Sequence, residues 1–102
     1  MSTPVLALDI GGTKIAAGLV DANGVLLHQN RQPTPPGGDA EQVWAAASRA
    51  ITEALAAAGG TVAGVGISSA GPINLADGTV SPVNIGNWRG FPIVEAVSGA
   101  VP

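Results

Sequence analysis

The sequence predicts an α/β chain with a mixed β-sheet. Two apolar stretches, Val5–Ile10 and Lys14–Val20, flank a Gly-Gly pair, which predicts two antiparallel strands joined by a hairpin. Apolar residues then recur at three- and four-residue spacing after Asp39, which predicts a helix. The apolar residues 62–68 follow that helix, so we expect a fourth strand that lies parallel to the first.

Turn and cap signals separate these elements. Ala22-Asn23-Gly24 predicts a turn before a third strand at residues 25–32, so the first three strands should form an antiparallel meander. Asp39 and Gln42 have the spacing of a helix capping box, and Gly59 is expected to end the helix. The residues expected on the buried face of the helix are Val43, Trp44, Ala47, Ile51 and Leu55.

The second half of the chain carries fewer structural signals. Residues 62–68 read as a strand buried on both faces, and residues 92–97 as the start of a short helix. Between them, residues 69–90 are rich in Gly, Pro, Asn and Ser, which predicts a long loop. A glycine after a buried strand and an amide side chain farther along suit a hydroxyl-rich ligand, although Gly71 and Asn84 also fit ordinary turns.

One segment carries a recognisable chemistry, the predicted hairpin Asp9-Ile10-Gly11-Gly12-Thr13-Lys14. We expect its two glycines to turn with positive φ and to leave backbone N–H groups open to an anion. Asp9 can hold a hydrated divalent cation, while the Thr13 hydroxyl and the Lys14 ammonium can donate to phosphate. This combination favours a nucleoside triphosphate with its cation over the alternative, an ordinary hairpin turn.

Composition narrows the class of protein. Hydrophobic residues make up 46% of the chain, and a net charge of −3 with only 4 Lys and Arg argues against a nucleic-acid surface. No apolar stretch approaches the roughly 20 residues that span a bilayer. The chain has no cysteine, which agrees with a cytoplasmic protein. We therefore expect no nucleic-acid partner and no membrane.

Three segments together resemble the ROK sugar kinases, which belong to the actin, Hsp70 and hexokinase superfamily. The segments are Asp9-Ile10-Gly11-Gly12-Thr13-Lys14 with its continuation Ile15-Ala16-Ala17-Gly18-Leu19-Val20-Asp21, then Gly66-Ile67-Ser68-Ser69-Ala70-Gly71-Pro72, and then Ser81-Pro82-Val83-Asn84-Ile85-Gly86-Asn87-Trp88. They occur in the order of the family. The resemblance implies an RNase H-like N-terminal lobe, and the predicted order strand, strand, strand, helix, strand agrees with it.

The resemblance also implies a function, the ATP-dependent phosphorylation of a hexose, most of all glucose. The residues implied for ATP are Asp9, Gly11, Gly12, Thr13 and Lys14, with Asp9 also holding Mg²⁺ through water. The implied sugar contacts are the Gly71 backbone and the Asn84 side chain, with Trp88 packing the loop. Other hexoses are the alternative substrates, and polyphosphate is the alternative phosphoryl donor.

The resemblance implies that residues 1–102 are an incomplete N-terminal lobe of a two-lobed kinase. In such kinases the general base, an Asp in an Asn-Asp pair, and a His/Cys zinc site are expected after Pro102, as are homo-oligomer contacts. We therefore expect no turnover by this piece alone. Two alternatives are a sugar-responsive ROK repressor without its DNA-binding domain and a non-catalytic sugar-binding module. Only eight residues precede Asp9, which leaves no room for a helix-turn-helix domain within this sequence.

Overall fold

The structure, a computed structural model, describes residues 3–35, 39–69, 73–74, 76–81 and 91–101. These residues form a mixed α/β fold. The elements in chain order are β1 (Val5–Ile10), β2 (Lys14–Val20), β3 (Leu26–Pro33), α1 (Ala40–Ala57), β4 (Gly64–Ser69), β5 (Ile73–Asn74), β6 (Thr79–Val80) and α2 (Ile93–Ala100). β1 and β2 have the predicted bounds, and β3 is displaced by one residue from its prediction.

Strands β1 to β4 form one sheet with the spatial order β3-β2-β1-β4. β1 pairs antiparallel with β2, β2 pairs antiparallel with β3, and β4 lies parallel to β1. The predicted mixed sheet is therefore confirmed. The register places Asp9 opposite Ala16 on β2 and opposite Ser68 on β4. Two chain segments that are far apart in sequence thus meet beside Asp9.

Helix α1 covers one face of this sheet. Its capping box is confirmed, because Asp39 Oδ1 accepts from the Gln42 N–H at 2.8 Å and Gln42 Oε1 accepts from the Asp39 N–H at 2.9 Å. The buried helix residues are Val43, Ala46, Ala47, Ala50, Ile51 and Ala54. They pack with the buried strand residues Leu6, Leu8, Ile10, Ile15, Ala17 and Leu19. Trp44 and Leu55 lie at the margins of this core and are half-buried.

Strand β4 differs from its prediction in bounds and in burial. It begins at Gly64 rather than at Val62, which lies in the core without pairing in the sheet. Gly64, Gly66 and Ser68 are exposed. The prediction of a strand buried on both faces is wrong, because the described residues cover the sheet only on the side of α1.

The sheet face opposite α1 carries mostly small side chains, with Leu26 and Gln29 on β3 as larger exceptions. Neither described helix is long and apolar enough to cross a membrane. On the sheet itself, a shallow cavity of about 450 Å³ lies over the face opposite α1, and its lining includes Ala7, Asp9, Ala16, Gly18, Gly66 and Ser68. Near the β1–β2 turn, the polar side chains of this lining are those of Asp9 and Ser68.

The region predicted as one long loop contains a short hairpin. β5 and β6 pair antiparallel around a turn at Asp77 and Gly78, where Gly78 has a φ of +70°. The Asp77 carboxylate stabilises this turn by accepting from the Thr79 N–H and hydroxyl. The prediction missed these strands because each is only two residues long, too short for a periodic pattern.

Helix α2 confirms the second helix predicted from residues 92–97, although it continues to Ala100. It lies beside the β5–β6 hairpin, since the Val94 N–H donates to the Gly78 carbonyl at 3.2 Å. The predicted sugar contacts Gly71 and Asn84, and the predicted packing residue Trp88, lie outside the described residues.

Candidate functional site

The turn between β1 and β2 is closed by its own backbone. The Gly11 N–H donates to the Lys14 carbonyl at 3.0 Å. A Cβ at Gly11 would lie 2.6 Å from that same carbonyl oxygen, well inside normal van der Waals contact. Any side chain at this position would therefore force the two ends of the turn apart.

The expectation that Gly11 and Gly12 turn with positive φ is wrong. Among the described residues, the positions with positive φ are Gly24, Gly59, Gly60 and Gly78. The chain reverses between β1 and β2 in conformations that other residues also adopt. The requirement for glycine at position 11 is therefore one of space, set by the Lys14 carbonyl, and not one of backbone conformation.

Two backbone donors of the turn have no hydrogen-bond partner among the described residues. No described residue accepts a hydrogen bond from the N–H groups of Gly12 and Thr13. The Thr13 and Lys14 side chains beside them are exposed. Unpartnered N–H groups in succession, together with a hydroxyl and an ammonium, form a set of donors suited to phosphate oxygens.

Asp9 lies at the end of β1 with one carboxylate oxygen engaged. Its Oδ1 accepts a hydrogen bond from Ser68 Oγ at 2.7 Å, across the parallel β1–β4 pair. Its other oxygen accepts from no described residue. The Ser68 hydroxyl therefore restrains the carboxylate while leaving one oxygen available for a ligand.

Lys14 lies on the same face of the sheet as Asp9. Ala16 is the register partner of Asp9, and Lys14 precedes Ala16 by two residues on β2, so strand alternation places both side chains on the face opposite α1. A positive and a negative side chain thus flank the turn. The ammonium suits the phosphate charge, and the carboxylate suits a cation that accompanies it.

The donor set around Asp9 fits a magnesium ion that keeps most of its water. No group of three or more His, Cys, Asp and Glu side chains occurs among the described residues, so an all-protein metal cage is absent from this part of the chain. Mg²⁺ is commonly held by one or two carboxylates, with water and substrate phosphates completing its octahedron. Asp9 can supply such a single carboxylate.

Sequence reasoning missed two residues of this site. Ser68 contacts Asp9, and Thr34, directly after β3, donates through Oγ1 to the Gly11 carbonyl at 2.7 Å. The Ser68 contact depends on the β1–β4 register, which local sequence signals do not determine. The signal for Thr34 was the run Pro33-Thr34-Pro35, in which one polar residue with an N–H stands between two prolines.

Comparison with known proteins identifies the family. The sequence profile of the ROK family matches residues 5–101, nearly the whole chain. The chain belongs to the ROK family. The three motifs that resemble ROK sugar kinases are therefore part of a match that extends over the entire fold.

Relatives of this ROK chain are sugar kinases. It is 36% identical to the glucokinase of Streptomyces coelicolor, over 94% of this chain and 29% of the relative. It is 38% identical to an N-acetylmannosamine kinase of Yersinia pseudotuberculosis, over 90% of this chain and 30% of the relative. The chain thus spans about a third of the length of the relatives it matches.

A solved ROK structure shows the same fold with ligands. The ROK glucokinase of Streptomyces griseus, in complex with glucose and AMPPNP, superimposes with a TM-score of 0.74 at 38% identity, over 97% of this chain and 31% of the glucokinase. The fold class is thereby that of the ROK sugar kinases, an actin/hexokinase-like fold. That glucokinase binds a sugar together with an ATP analogue.

Proposed function

We propose that residues 1–102 form the N-terminal lobe of a two-lobed ROK sugar kinase, which transfers a phosphoryl group from ATP to a hexose. Glucose is the first candidate substrate, because the relatives include glucokinases and one of them was crystallised with glucose and AMPPNP. The observation that carries the proposal is the β1–β2 turn. Two N–H groups and one carboxylate oxygen that bond to no residue in the described part of the chain adjoin an exposed lysine there.

Each residue of the turn has a role that the chemistry of phosphoryl transfer requires. Positioning and electrostatic stabilisation of the phosphates supply most of the catalysis in this reaction. In our proposal the N–H groups of Gly12 and Thr13 and the Thr13 hydroxyl donate to phosphate oxygens, and Lys14 offsets their charge. Asp9 holds Mg²⁺ through water. Mg²⁺ would neutralise charge that develops on the phosphate oxygens.

The sugar site and the general base complete the proposal. Gly71 and Asn84 are proposed to bind the sugar, and the base is proposed to lie after Pro102. The other aspartates of the described residues serve local structure, because Asp21, Asp39 and Asp77 accept hydrogen bonds from nearby backbone N–H groups. A zinc site and a homo-oligomer in the longer protein, and its place in the cytoplasm, stay predictions.

Separate calorimetric titrations of Mg-ATP and glucose test this function, in the chain and in the longer protein that contains it. We expect the protein to bind both ligands. Asp9→Ala should remove the heat of Mg-ATP binding and keep that of glucose, whereas Asn84→Ala should do the reverse. A parallel titration with polyphosphate tests the alternative phosphoryl donor.

Two outcomes would contradict the proposal. Glucose binding without any nucleotide or polyphosphate binding by the longer protein would indicate a non-catalytic sugar-binding module. Phosphorylation of glucose by the purified 102-residue chain would show that the base lies within these residues. The expected result is glucose 6-phosphate from the longer protein with ATP, and none from the chain alone.

Ser68→Ala should raise the Mg²⁺ concentration needed for nucleotide binding by about tenfold. The variant removes the donor that restrains Asp9 Oδ1, and loss of a group that orients a metal ligand typically costs 10- to 100-fold in metal affinity. The measurement is nucleotide affinity as a function of Mg²⁺ concentration. Nucleotide affinity in EDTA should not change.

The adjacent serine provides the matched control for Ser68. Ser69 Oγ is buried and has no hydrogen-bond partner among the described residues. Ser69→Ala therefore removes a hydroxyl without breaking a contact to Asp9, and the Mg²⁺ dependence should match that of the parent. Equal Mg²⁺ dependence in the two variants would exclude an orienting role for Ser68.

A further inference from the structure

Thr34 connects the end of β3 to the β1–β2 turn through two hydrogen bonds. Its Oγ1 donates to the Gly11 carbonyl at 2.7 Å, and its backbone N–H donates to the Thr13 carbonyl at 2.9 Å. Thr34 is 5% exposed. Thr34 therefore binds both ends of the turn segment that contains the proposed phosphate donors.

The hydroxyl of Thr34 determines the direction of a neighbouring N–H group. The Gly11 carbonyl and the Gly12 N–H belong to the same planar trans peptide, so the two groups point in opposite directions. Because the carbonyl points at the buried Thr34 hydroxyl, the Gly12 N–H points away from Thr34. This N–H is one of the two turn donors without a partner among the described residues.

The prolines on either side pre-set Thr34 for this contact. A residue that precedes proline is restricted to extended backbone conformations, and Pro35 imposes this restriction on Thr34. Pro33 and Pro35 have no N–H, so the Thr34 N–H is the one backbone donor that this tripeptide offers to the turn. A β-branched side chain adds a stiff χ1. The hydroxyl is thus presented with little conformational freedom.

We propose that Thr34 is a positioning residue for the nucleotide phosphates, whose hydroxyl fixes the Gly11–Gly12 peptide so that the Gly12 N–H faces the bound anion. The proposal rests on the proposed nucleotide site and deepens it. Thr34 itself does not touch the ligand. Its contribution is to fix the peptide before binding, so that phosphate does not have to reorient it.

Thr34→Val is the test variant, because valine keeps the shape, the β-branch and the backbone N–H but lacks the hydroxyl. It should raise the dissociation constant for Mg-AMPPNP about tenfold and leave that for glucose unchanged. Thr34→Ser, which keeps the hydroxyl, should stay within about threefold of the parent. Both constants are measured by calorimetry on the longer protein that contains this chain.

Thr52→Val is the matched control. The Thr52 hydroxyl also donates to a backbone carbonyl, that of Ser48 at 2.8 Å, but it does so on α1. Removing it should leave both dissociation constants unchanged. If Thr34→Val weakens nucleotide and glucose binding equally, the residue supports the fold alone and the proposal is overturned.

Amide NMR tests the same proposal without any variant. Addition of Mg-AMPPNP to the isotope-labelled longer protein should shift the Gly12 amide resonance strongly, as expected for a new hydrogen bond to an anion. A Gly12 resonance that does not move while nucleotide binds overturns the role of Thr34 and leaves the proposed function intact. If the longer protein binds no nucleotide at all, the proposed function fails and this proposal fails with it.

Discussion

Asp9→Asn is expected to remove the Mg²⁺-dependent part of nucleotide binding and to lower turnover of the longer protein by at least about 100-fold. Asparagine keeps the size of the side chain and an oxygen that can accept from Ser68 Oγ, so the hydrogen bond across β1 and β4 is preserved. The variant therefore removes the negative charge and replaces the second carboxylate oxygen, the one proposed to face the cation, with an NH2 group that cannot accept. Nucleotide affinity in EDTA and affinity for glucose should both stay at the level of the parent.

Stability measurements separate this effect from unfolding. Asp9 is exposed, and exposed substitutions usually change the free energy of unfolding by no more than about 0.5 kcal/mol. Glu53→Gln on α1 is the control, since it removes one exposed carboxylate far from the turn in sequence. Should Asp9→Asn bind Mg-nucleotide as tightly as the Glu53 variant, Asp9 does not hold the cation.

Gly11→Ala should damage both the turn and nucleotide binding. The new Cβ would lie 2.6 Å from the Lys14 carbonyl oxygen, so the backbone must move and the hydrogen bond from the Gly11 N–H to that oxygen must lengthen. Forcing a methyl group into such a space typically costs about 1–3 kcal/mol. We expect a lower melting temperature and at least about tenfold weaker binding of Mg-AMPPNP, because the Gly12 and Thr13 N–H groups move with the backbone.

Gly64→Ala is the matched substitution for this experiment. A Cβ at Gly64 meets no atom within 4 Å, and alanine has less backbone entropy to lose on folding than glycine. This variant should therefore keep the stability and the nucleotide affinity of the parent, or gain slightly in stability. If Gly11→Ala behaves like Gly64→Ala in both measurements, the turn tolerates a side chain and the spatial argument is wrong.

The hairpin and the first helix could be predicted from sequence because their signals are local. β1 alternates between exposed and buried residues, the Gly11-Gly12 pair separates it from the apolar β2, and the Asp39 capping box lies within four residues. β4 was predicted with less accuracy. Gly64 and Gly66 carry no side chain from which the exposed face could be recognised, and Val62 is apolar because it packs in the core outside the strand.

The residues of the candidate site also differ in how far the sequence predicts them. The residues of the β1–β2 turn were predicted because they are contiguous and chemically distinctive. Ser68 and Thr34 were missed because their roles depend on pairing with segments 59 and 23 residues away. The positive φ expected for Gly11 and Gly12 was wrong. The need for glycine at position 11 comes instead from the closeness of the Lys14 carbonyl, which arises only once the hairpin is formed.

The parallel register of β1 and β4 limits where this protein can change length during evolution. Adding one residue inside β4 ahead of Ser68 would turn the following side chains to the opposite sheet face and separate the serine from Asp9. Residues 59–61 are under no such constraint, because they lie outside the strand pairing and precede both the buried Val62 and the Ala63 N–H that donates to the Pro4 carbonyl. Insertions and deletions among descendants of this sequence should therefore be tolerated between α1 and β4 and selected against within β4.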